Sequence, residues 1–340
     1  MKRRSRLLAV ISAIIGLALF IYVLHQTGLD EIGANVRRLG AGFVVILAIS
    51  STRYLSRAAA WLRCMTPEER RIGFWTLWRA RVAGEAIGDL TFGPVVAEPL
   101  RLVLLGDRLS LSSGISSLTV ENIAYTMSSF LMVMAGAAAL LASFGLSQSL
   151  RTAMLTTLVV VFFAIASAVV VINRRWKLGS GMATFVIGTM IHDETVRSRI
   201  ESKIHHLRKL EEYVFDFYSR RPVDFFLVAL SEMTFHFAGV LEIYTTLRLL
   251  GIDLNLATAF MLESVNRAIN IAFIFVPALV GVDEMLTKLL TETLKLGGIA
   301  GVTLAIVRKI RMFFWIGIGL IFLVVSQKAK GRDQKAKVKV

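Results

Sequence analysis

The sequence predicts an all-α integral membrane protein with about six transmembrane helices and two re-entrant hairpins, each built from a broken helix. Three observations support this fold class. Hydrophobic residues make up 55% of the 340 residues and charged residues only 19%, which is more apolar surface than a soluble domain of this length buries. The apolar residues form long blocks, two of which are interrupted by glycine and proline. Basic residues are concentrated at the chain ends and in particular loops.

The long apolar blocks predict the membrane spans. About 20 apolar residues cross ~30 Å of hydrocarbon, and only a helix satisfies its own backbone there. The block Leu7–Leu24 follows a basic start, but it is too long for a signal peptide and no cleavage site follows, so we interpret it as span 1. The other predicted spans are span 2 at Ala41–Leu62, span 3 at Ser116–Leu141, span 4 at Thr152–Ile172, span 5 at Val223–Leu250 and span 6 at Ile299–Val325.

The distribution of basic residues predicts the orientation of these spans. The net charge is +15, and the excess lies at the N-terminus, around residues 63–81, in residues 173–221 and in the tail 326–340. Basic residues beside spans mark the cytoplasmic side, so both chain ends are predicted to be cytoplasmic. Residues 173–221 hold ten Lys or Arg and are predicted to form an amphipathic cytoplasmic linker. Anionic inner-leaflet lipid is the expected partner of these loops, and nucleic acid is not.

Two further apolar segments contain helix breakers. Val82–Leu105 is interrupted near Pro94 and lies between arginine-bearing stretches, so it is predicted to enter and leave the membrane on the cytoplasmic side. Leu256–Leu294 is interrupted at Pro277 and Gly281. Broken backbone at membrane depth must be buried in protein or line a cavity, so these two prolines and this glycine are predicted hinges. The alternative is eight plain spans with proline kinks.

The two halves of the chain indicate an inverted repeat. Each contains a span, a broken segment and a second span, in that order. A glutamate follows each break, Glu98 in the first half and Glu284 in the second, and a polar pair follows each glutamate at nearly the same spacing. The first unit is predicted to begin outside and the second inside. Paired broken helices in inverted halves point to a binding site near the membrane midplane.

Ionisable side chains inside the predicted spans are the candidate functional residues. Each costs roughly 2.5–3.5 kcal/mol at the bilayer centre on insertion scales, so each needs a partner or a role. Glu263 and Arg267 lie one helical turn apart directly before the second break. Arginine suits phosphate or carboxylate groups because its planar fork donates two hydrogen bonds at once. The residues predicted to line a substrate path are Glu98, Arg101, Glu121, Glu263, Asn266, Arg267, Asn270, Glu284, Arg308 and Arg311.

A purely structural charge network is the alternative for these residues. Glu98 and Arg101 lie one turn apart and are suited to pair with each other. Arg308 and Arg311 are likewise one turn apart, and they would either neutralise Glu284 or hold an anionic headgroup.

Span 5 contains a second type of candidate. Glu232 and His236 share a helix face, which makes them candidates for proton exchange, although a hydrogen-bonded packing histidine is the alternative. No metal site is predicted, since Cys64 is the only cysteine and the span 5 carboxylates are too far apart for one face. The sequence has none of the common nucleotide-binding, hydrolase or dinucleotide motifs, so neither a catalytic residue nor a cofactor is predicted.

The second half of the chain carries a family pattern. The stretch ESVNRAINIAFIFVPALVGVDEM, followed by AIVRKIRMFFW, resembles the lysylphosphatidylglycerol synthase transmembrane, or flippase-like, family. Within the family it most resembles the hopanoid-biosynthesis-associated membrane proteins. The family pattern is F-x-P-G-x-x-G-x-x-E and a later R-R/K-x-R element. Ala278 replaces a glycine, and the matching residues are Pro277, Gly281, Glu284, Arg308 and Arg311.

The first half resembles the same family. GPVVAEPLR is similar to its P-x-x-x-G-E-x-x-R element, in which Pro94, Glu98 and Arg101 match and Ala97 replaces a glycine. VENIAY is similar to V-E-R-x-x-D. There Glu121 matches, while Asn122 and Tyr125 replace the basic and acidic residues.

The resemblance implies one helical domain over residues 1–340 in a bacterial inner membrane, with lipid translocation as its role. The implied substrate is a hopanoid-type lipid or an anionic or aminoacylated phospholipid, and the implied partners are membrane lipids and lipid-biosynthesis proteins. Bifunctional members also carry a C-terminal aminoacyl-transfer domain, an activity this chain is expected to lack. Two other functions stay open: an enzyme that modifies a lipid headgroup with Glu98 or Glu284 as base, and an accessory subunit of a lipid-synthesis complex.

Overall fold

A computed structural model describes residues 34, 37–91, 93–190, 194–274, 276, 279 and 281–337. Predicted span 1 and the predicted hinge Pro277 lie outside these residues. The described chain consists of helices and turns without a β-strand. We number the α-helices α1 Gly42–Cys64, α2 Phe74–Asp89, α3 Pro94–Leu105, α4 Leu111–Ser143, α5 Gln148–Asn173, α6 Leu178–Met190, α7 Glu194–Arg220, α8 Pro222–Leu249, α9 Leu256–Ala272, α10 Val282–Thr293 and α11 Gly298–Lys337.

The described part of the chain has 5 helices long and apolar enough to cross a membrane. They are α1, α4, α5, α8 and the Gly298–Ser326 part of α11, and they coincide with predicted spans 2 to 6. The all-α membrane class is therefore confirmed. Helix α11 continues through most of the predicted basic tail, as far as Lys337.

Both broken segments form two short helices separated by a break, as predicted. In the first, Gly93 has φ 56° and ψ −131°, a conformation that favours glycine, and Pro94 opens α3. In the second, Gly281 precedes α10 with φ 81°. Helix α2 begins at Phe74, well before the predicted Val82. Because of this earlier start, Arg81 lies inside the helix and is 0% exposed, whereas the sequence placed it in a basic loop.

The corresponding helices of the two halves run in opposite directions. One apolar core joins the start of α1 at Ile46 to the end of α8 at Leu247. A second core joins the end of α1 at Cys64 to the start of α8 at Val228. Helices α1 and α8 are therefore antiparallel, which is the relation that an inverted repeat requires.

The two halves also pack reciprocally. Helix α4 of the first half packs on α9 of the second, and α11 of the second packs on α2 of the first. Both contacts are close because a glycine lies in each. A methyl group on Gly136 would lie 2.1 Å from Ser264 Cβ, and one on Gly319 would lie 2.6 Å from the Val82 carbonyl oxygen. Small residues at such crossings allow membrane helices to approach closely.

The two breaks approach each other closely. A methyl group on Gly93, at the first break, would lie 3.4 Å from the backbone oxygen of Ile274, which directly follows α9 at the second break. Taking the name from the hairpins that the sequence predicts, we call the described residues Thr91, Gly93, Pro94, Phe273 and Ile274 the hairpin tips. The ends of α2 and α9 therefore approach each other at the two breaks.

The predicted linker forms helices α6 and α7, which pack on each other, and α7 also packs on α4, α5 and α8. Tyr213 Oη donates to the Cys64 carbonyl oxygen at 2.5 Å. On the surface, Lys177 Nζ donates to Glu212 at 2.6 Å, and this bond holds the pKa of the Glu212 carboxyl below its ordinary value. Helix α6 is apolar and exposes Met182 and Phe185, whereas the basic residues of the linker lie mostly in α7.

Cysteine labelling tests the predicted orientation. In a Cys64→Ala background, a cysteine at Gly251, just after α8, should react with an impermeant thiol reagent added outside cells. A cysteine at Lys209 in α7 should react only after the membrane is opened. Labelling of the Lys209 position from outside would contradict a cytoplasmic α7.

Candidate functional site

A layer of buried and partly buried charged side chains crosses the middle of the bundle, between the two apolar cores. Along α1, for example, Arg53 and Arg57 lie between Ile46 and Cys64. Buried ion pairs at this depth are costly to form, and removing one partner leaves an uncompensated charge. The layer consists of Arg53 and Arg57 on α1, Arg81 and Glu85 on α2, Glu98 and Arg101 on α3, Glu121 on α4, Glu232 and Glu242 on α8, Glu263 and Arg267 on α9, Asp283 and Glu284 on α10, and Arg308, Lys309 and Arg311 on α11.

Glu121 is the centre of the charges in the first half. It is 0% exposed, and its Oε1 lies 2.5 Å from Arg57 Nε and 3.0 Å from Arg81 Nη2. The guanidinium of Arg57 also lies over the ring of Tyr125, 3.7 Å from its centroid. The sequence singled out Glu121 but missed Arg81, because Arg81 was assigned to a loop. A longer helical window would have placed it on α2.

Glu98 and Arg101 do not pair with each other among the described contacts. Glu98 accepts a hydrogen bond from Asn122 Nδ2 at 2.6 Å. Arg101 Nη2 lies 3.6 Å from Glu85, a residue outside the predicted site. The side chain of Arg101 packs over Gly84, where a methyl group would lie 2.5 Å from its Cγ. The predicted local pair is therefore replaced by two contacts to other helices.

The polar face of α9 is present as its spacing predicts. Arg267 Nη2 donates to Glu263 Oε1 at 2.6 Å, and Arg267 Nη1 donates to Tyr125 Oη at 3.0 Å. One turn further along, Asn270 Nδ2 donates to the Asn266 carbonyl oxygen at 2.6 Å. Tyr125 thus joins α9 to α4 and connects the charges of the two halves.

The carboxylates of α10 have partners different from those predicted. Arg308 Nη1 donates to Asp283 Oδ1 at 3.0 Å and to Asn266 Oδ1 at 2.6 Å. Glu284 pairs with Lys309, whose Nζ lies 2.6 Å from Oε1. Its other oxygen accepts from the Gly281 backbone N–H at 2.8 Å and so caps α10. Glu284 is therefore neutralised by Lys309, and not by Arg308 or Arg311 as the sequence suggested.

This arrangement repeats between the halves. In each, the glutamate after the break contacts the second residue of the polar pair in the following span. Glu98 binds Asn122, and Glu284 binds Lys309. The first residue of each pair forms an ion pair inside the layer: Glu121 pairs with Arg57, and Arg308 pairs with Asp283. The spacing in the sequence predicted that the two polar pairs correspond, whereas the contacts that they make are visible only in the structure.

Arg311 pairs with Glu242 near the hairpin tips. Arg311 Nε lies 2.8 Å from Glu242 Oε1, and Arg53 Nη1 lies 3.2 Å from Oε2. These two arginines keep 14% and 12% of their side-chain surface exposed, more than the other cations of the layer. Arg311 and Asp89, the last residue of α2, are close enough for their charges to interact. This is the most accessible cationic part of the layer.

Glu232 and His236 lie on the same face of α8, as predicted, but they bind different partners. His236 Nε2 lies 3.0 Å from Ser128 Oγ, while Nδ1 has no hydrogen-bond partner among the described residues. The nearest cation to Glu232 is Arg57, at 3.8 Å. No group of three or more potential metal ligands occurs in the described part of the chain.

Comparison with known proteins identifies the family. The lysylphosphatidylglycerol synthase TM region matches residues 9–321, which is most of the chain and includes every helix of the charged layer. The chain belongs to this family. No curated protein and no solved structure gives a significant match. The family match does not distinguish the hopanoid-associated group.

Departures from the lysylphosphatidylglycerol synthase TM pattern are compensated by neighbouring side chains. Asn122, in place of a basic residue, still binds Glu98. Tyr125, in place of an acidic residue, accepts from Arg267 and lies against Arg57. Ala97, in place of glycine, packs in the core against Gly88, where a methyl group would lie 3.0 Å from its Cβ. The two neutral side chains Asn122 and Tyr125 thus contact charged residues of other helices in place of the local ion pair of the family pattern.

Charge reversal tests the new partner of Glu284. Glu284→Lys and Lys309→Glu should each reduce the yield of folded protein, because each places two like charges in contact in the interior. The double variant restores an opposite pair and should recover part of that yield, measured by size-exclusion chromatography in detergent. Combining Glu284→Arg with Arg308→Glu should give no such recovery. Equal recovery in both doubles would contradict the specific pairing with Lys309.

Proposed function

We propose that this chain moves an amphipathic lipid across the bacterial cytoplasmic membrane, with the headgroup passing between the hairpin tips and the acyl part remaining in the bilayer. The supporting observation is the meeting of two broken helices from antiparallel halves at a layer of charged side chains. Transporters place binding sites at such positions because broken helices offer free backbone groups at the membrane midplane. Membrane lipids are the substrates, either a hopanoid-type lipid or an anionic or aminoacylated phospholipid.

Arg311 and Arg53 are the proposed headgroup ligands. Both pair with Glu242, so a phosphate or carboxylate reaching them exchanges one anionic partner for another and leaves no cation unpaired. A planar guanidinium also binds such groups through two parallel hydrogen bonds. Arg308 is a weaker candidate because its guanidinium already donates hydrogen bonds to Asp283, Asn266 and Thr287.

In this proposal the charged layer lowers the free-energy barrier that the headgroup meets as it crosses the membrane. A charge placed in hydrocarbon alone costs several kcal/mol, whereas a pathway lined by pairs that rearrange keeps each charge partnered. Glu98 and Asn122 belong to the less buried part of the layer and are proposed to receive a cationic part of a headgroup, such as an aminoacyl amine.

The orientation proposed is that of the sequence prediction, with both chain ends in the cytoplasm. Helix α7 and the end of α11, which are rich in basic residues, then lie on the side of the anionic inner leaflet, where a negatively charged substrate is concentrated. Proteins of lipid biosynthesis are the proposed neighbours, since they would supply or use the moved lipid.

The pure protein in vesicles containing labelled lipids tests this function. We expect movement between leaflets of a hopanoid-type lipid or an anionic or aminoacylated phospholipid, followed by the loss of label to a membrane-impermeant quencher. Vesicles carrying Arg311→Ala protein are the matched comparison. A chemically altered lipid instead of movement would indicate a headgroup-modifying enzyme. Neither movement nor product, with every lipid offered, would contradict the proposal and favour an accessory subunit.

A further inference from the structure

Glu232 is the one fully buried carboxylate of the charged layer for which neither oxygen has a hydrogen-bond partner among the described residues. It lies within α8 and is 1% exposed. Its Oε1 is 3.8 Å from Arg57 Nε, but that nitrogen donates to Glu121 at 2.5 Å. Other buried carboxylates have closer cations: the nearest nitrogen is 2.8 Å from Glu242, 2.6 Å from Glu263, 3.0 Å from Asp283 and 2.6 Å from Glu284.

A buried carboxylate without hydrogen-bond donors is costly in its ionised form. Binding a proton removes the charge and therefore most of that cost. A metal ion would not serve, since Arg57 repels a second cation at this distance and the described residues hold no cluster of metal ligands. The geometry thus fits a proton as the ligand of Glu232.

The charged and titratable groups around Glu232 come from each helix near it. On α8 itself, His236 lies one turn away with an unpartnered Nδ1. From α11, Arg311 is directed to Glu242 and not to Glu232. The remaining groups are Arg57 and Cys64 on α1, Arg81 on α2, Glu121 on α4, Tyr218 on α7 and Arg267 on α9.

We infer that Glu232 binds the proton that is coupled to lipid movement, and that this proton decides whether Arg57 is attracted by both α4 and α8 or by α4 alone. The inference rests on the proposed function, because it names the ion whose gradient drives the same movement. When Glu232 is ionised, Arg57 is attracted to Glu121 and to Glu232. When Glu232 is protonated, only Glu121 attracts it. Protonation therefore loosens the contact between the two antiparallel central helices.

The proton follows a balanced path. It comes from water on one side of the membrane and forms an O–H bond on the Glu232 carboxylate. That bond breaks when the rearranged bundle opens Glu232 to the other side, and the carboxylate is restored. His236 lies one turn along α8 on the same helix face, its Nδ1 has no hydrogen-bond partner among the described residues, and it is the proposed next carrier.

Infrared difference spectroscopy tests proton binding without lipid movement. Wild-type protein should show a pH-dependent carbonyl band of a protonated carboxyl group. The band should be lost in Glu232→Gln and kept in Glu212→Gln, which removes a surface glutamate of α7. Glu232→Asp, which keeps a titratable group, should retain a shifted band. A spectrum of Glu232→Gln identical to wild type would overturn the inference.

Vesicles with a pH gradient test the coupling. A gradient of one pH unit should shift the leaflet ratio of the moved lipid by up to about tenfold if one proton accompanies each lipid. Glu232→Gln protein should show no shift, and Glu232→Asp should keep one, which guards against a variant that merely misfolds. If wild-type protein moves lipid but the leaflet ratio does not change with the pH gradient, the coupling is contradicted and the proposed function stands. If wild-type protein moves no lipid at all, the proposed function fails, and the infrared band alone decides whether Glu232 binds a proton.

Discussion

Replacing Glu121 by alanine should destabilise the protein by about 3–5 kcal/mol, because one carboxylate neutralises two buried cations. Arg57 Nε and Arg81 Nη2 lie 2.5 Å and 3.0 Å from the same Glu121 oxygen. Without it, the one carboxylate still paired with Arg81 among the described contacts is the partly exposed Glu85, 3.8 Å away, and Arg81, which is 0% exposed, keeps a hydrogen bond to the Arg57 carbonyl oxygen. We expect almost no monodisperse protein after detergent extraction and a strongly lowered Tm in whatever remains.

A second substitution separates charge from packing in this prediction. Arg81→Met removes one of the two stranded cations and keeps an apolar side chain of similar length. Glu121→Ala with Arg81→Met should therefore yield more folded protein than Glu121→Ala alone. Glu212→Ala, a surface glutamate of α7, is the control and should behave as wild type. A Glu121→Ala protein with wild-type Tm would mean that the buried pairs contribute nothing to stability.

Arg311→Ala should reduce lipid movement at least about tenfold while leaving most of the protein folded. Folding should be affected much less than lipid movement, because Glu242 still has Arg53 as a partner 3.2 Å away when Arg311 is lost. Loss of a single bidentate headgroup contact of about 1.5–3 kcal/mol corresponds to roughly ten- to hundredfold in rate or affinity. The measurement is the initial rate of label loss in vesicles at matched protein content and matched Tm.

Two comparisons sharpen the Arg311 experiment. Arg311→Lys keeps the charge and loses the planar fork, so its rate should lie between those of wild type and Arg311→Ala. Arg151→Ala, which removes an exposed arginine at the start of α5, should keep the wild-type rate. A wild-type rate in Arg311→Ala would remove this residue from the pathway.

The sequence predicted the features that depend on neighbouring residues. The apolar blocks placed the spans, and Pro94 and Gly281 marked the breaks where the structure has them. Glu263 and Arg267 pair as their spacing of one turn requires. These features are local, so helical periodicity and backbone preference are enough to predict them.

The charged partners across helices could not be predicted in the same way. Arg308 and Arg311 share a face by spacing, yet Arg308 binds α10 and Arg311 binds α8. Lys309, rotated around α11 from both, reaches Glu284. The rotation of each helix and the crossing of α2 with α11 select these pairs, and both depend on packing across the whole bundle.

Cross-linking the hairpin tips during lipid movement tests the central claim most directly. Cysteines in place of Thr91 and Ile274, in a Cys64→Ala background, flank the approach of Gly93 to the second break. A flexible bifunctional thiol reagent with a reducible linkage would join them in vesicles. If the headgroup passes between the tips, cross-linked protein moves lipid far more slowly, and reduction restores the rate. An unchanged rate in fully cross-linked protein would contradict passage between the tips.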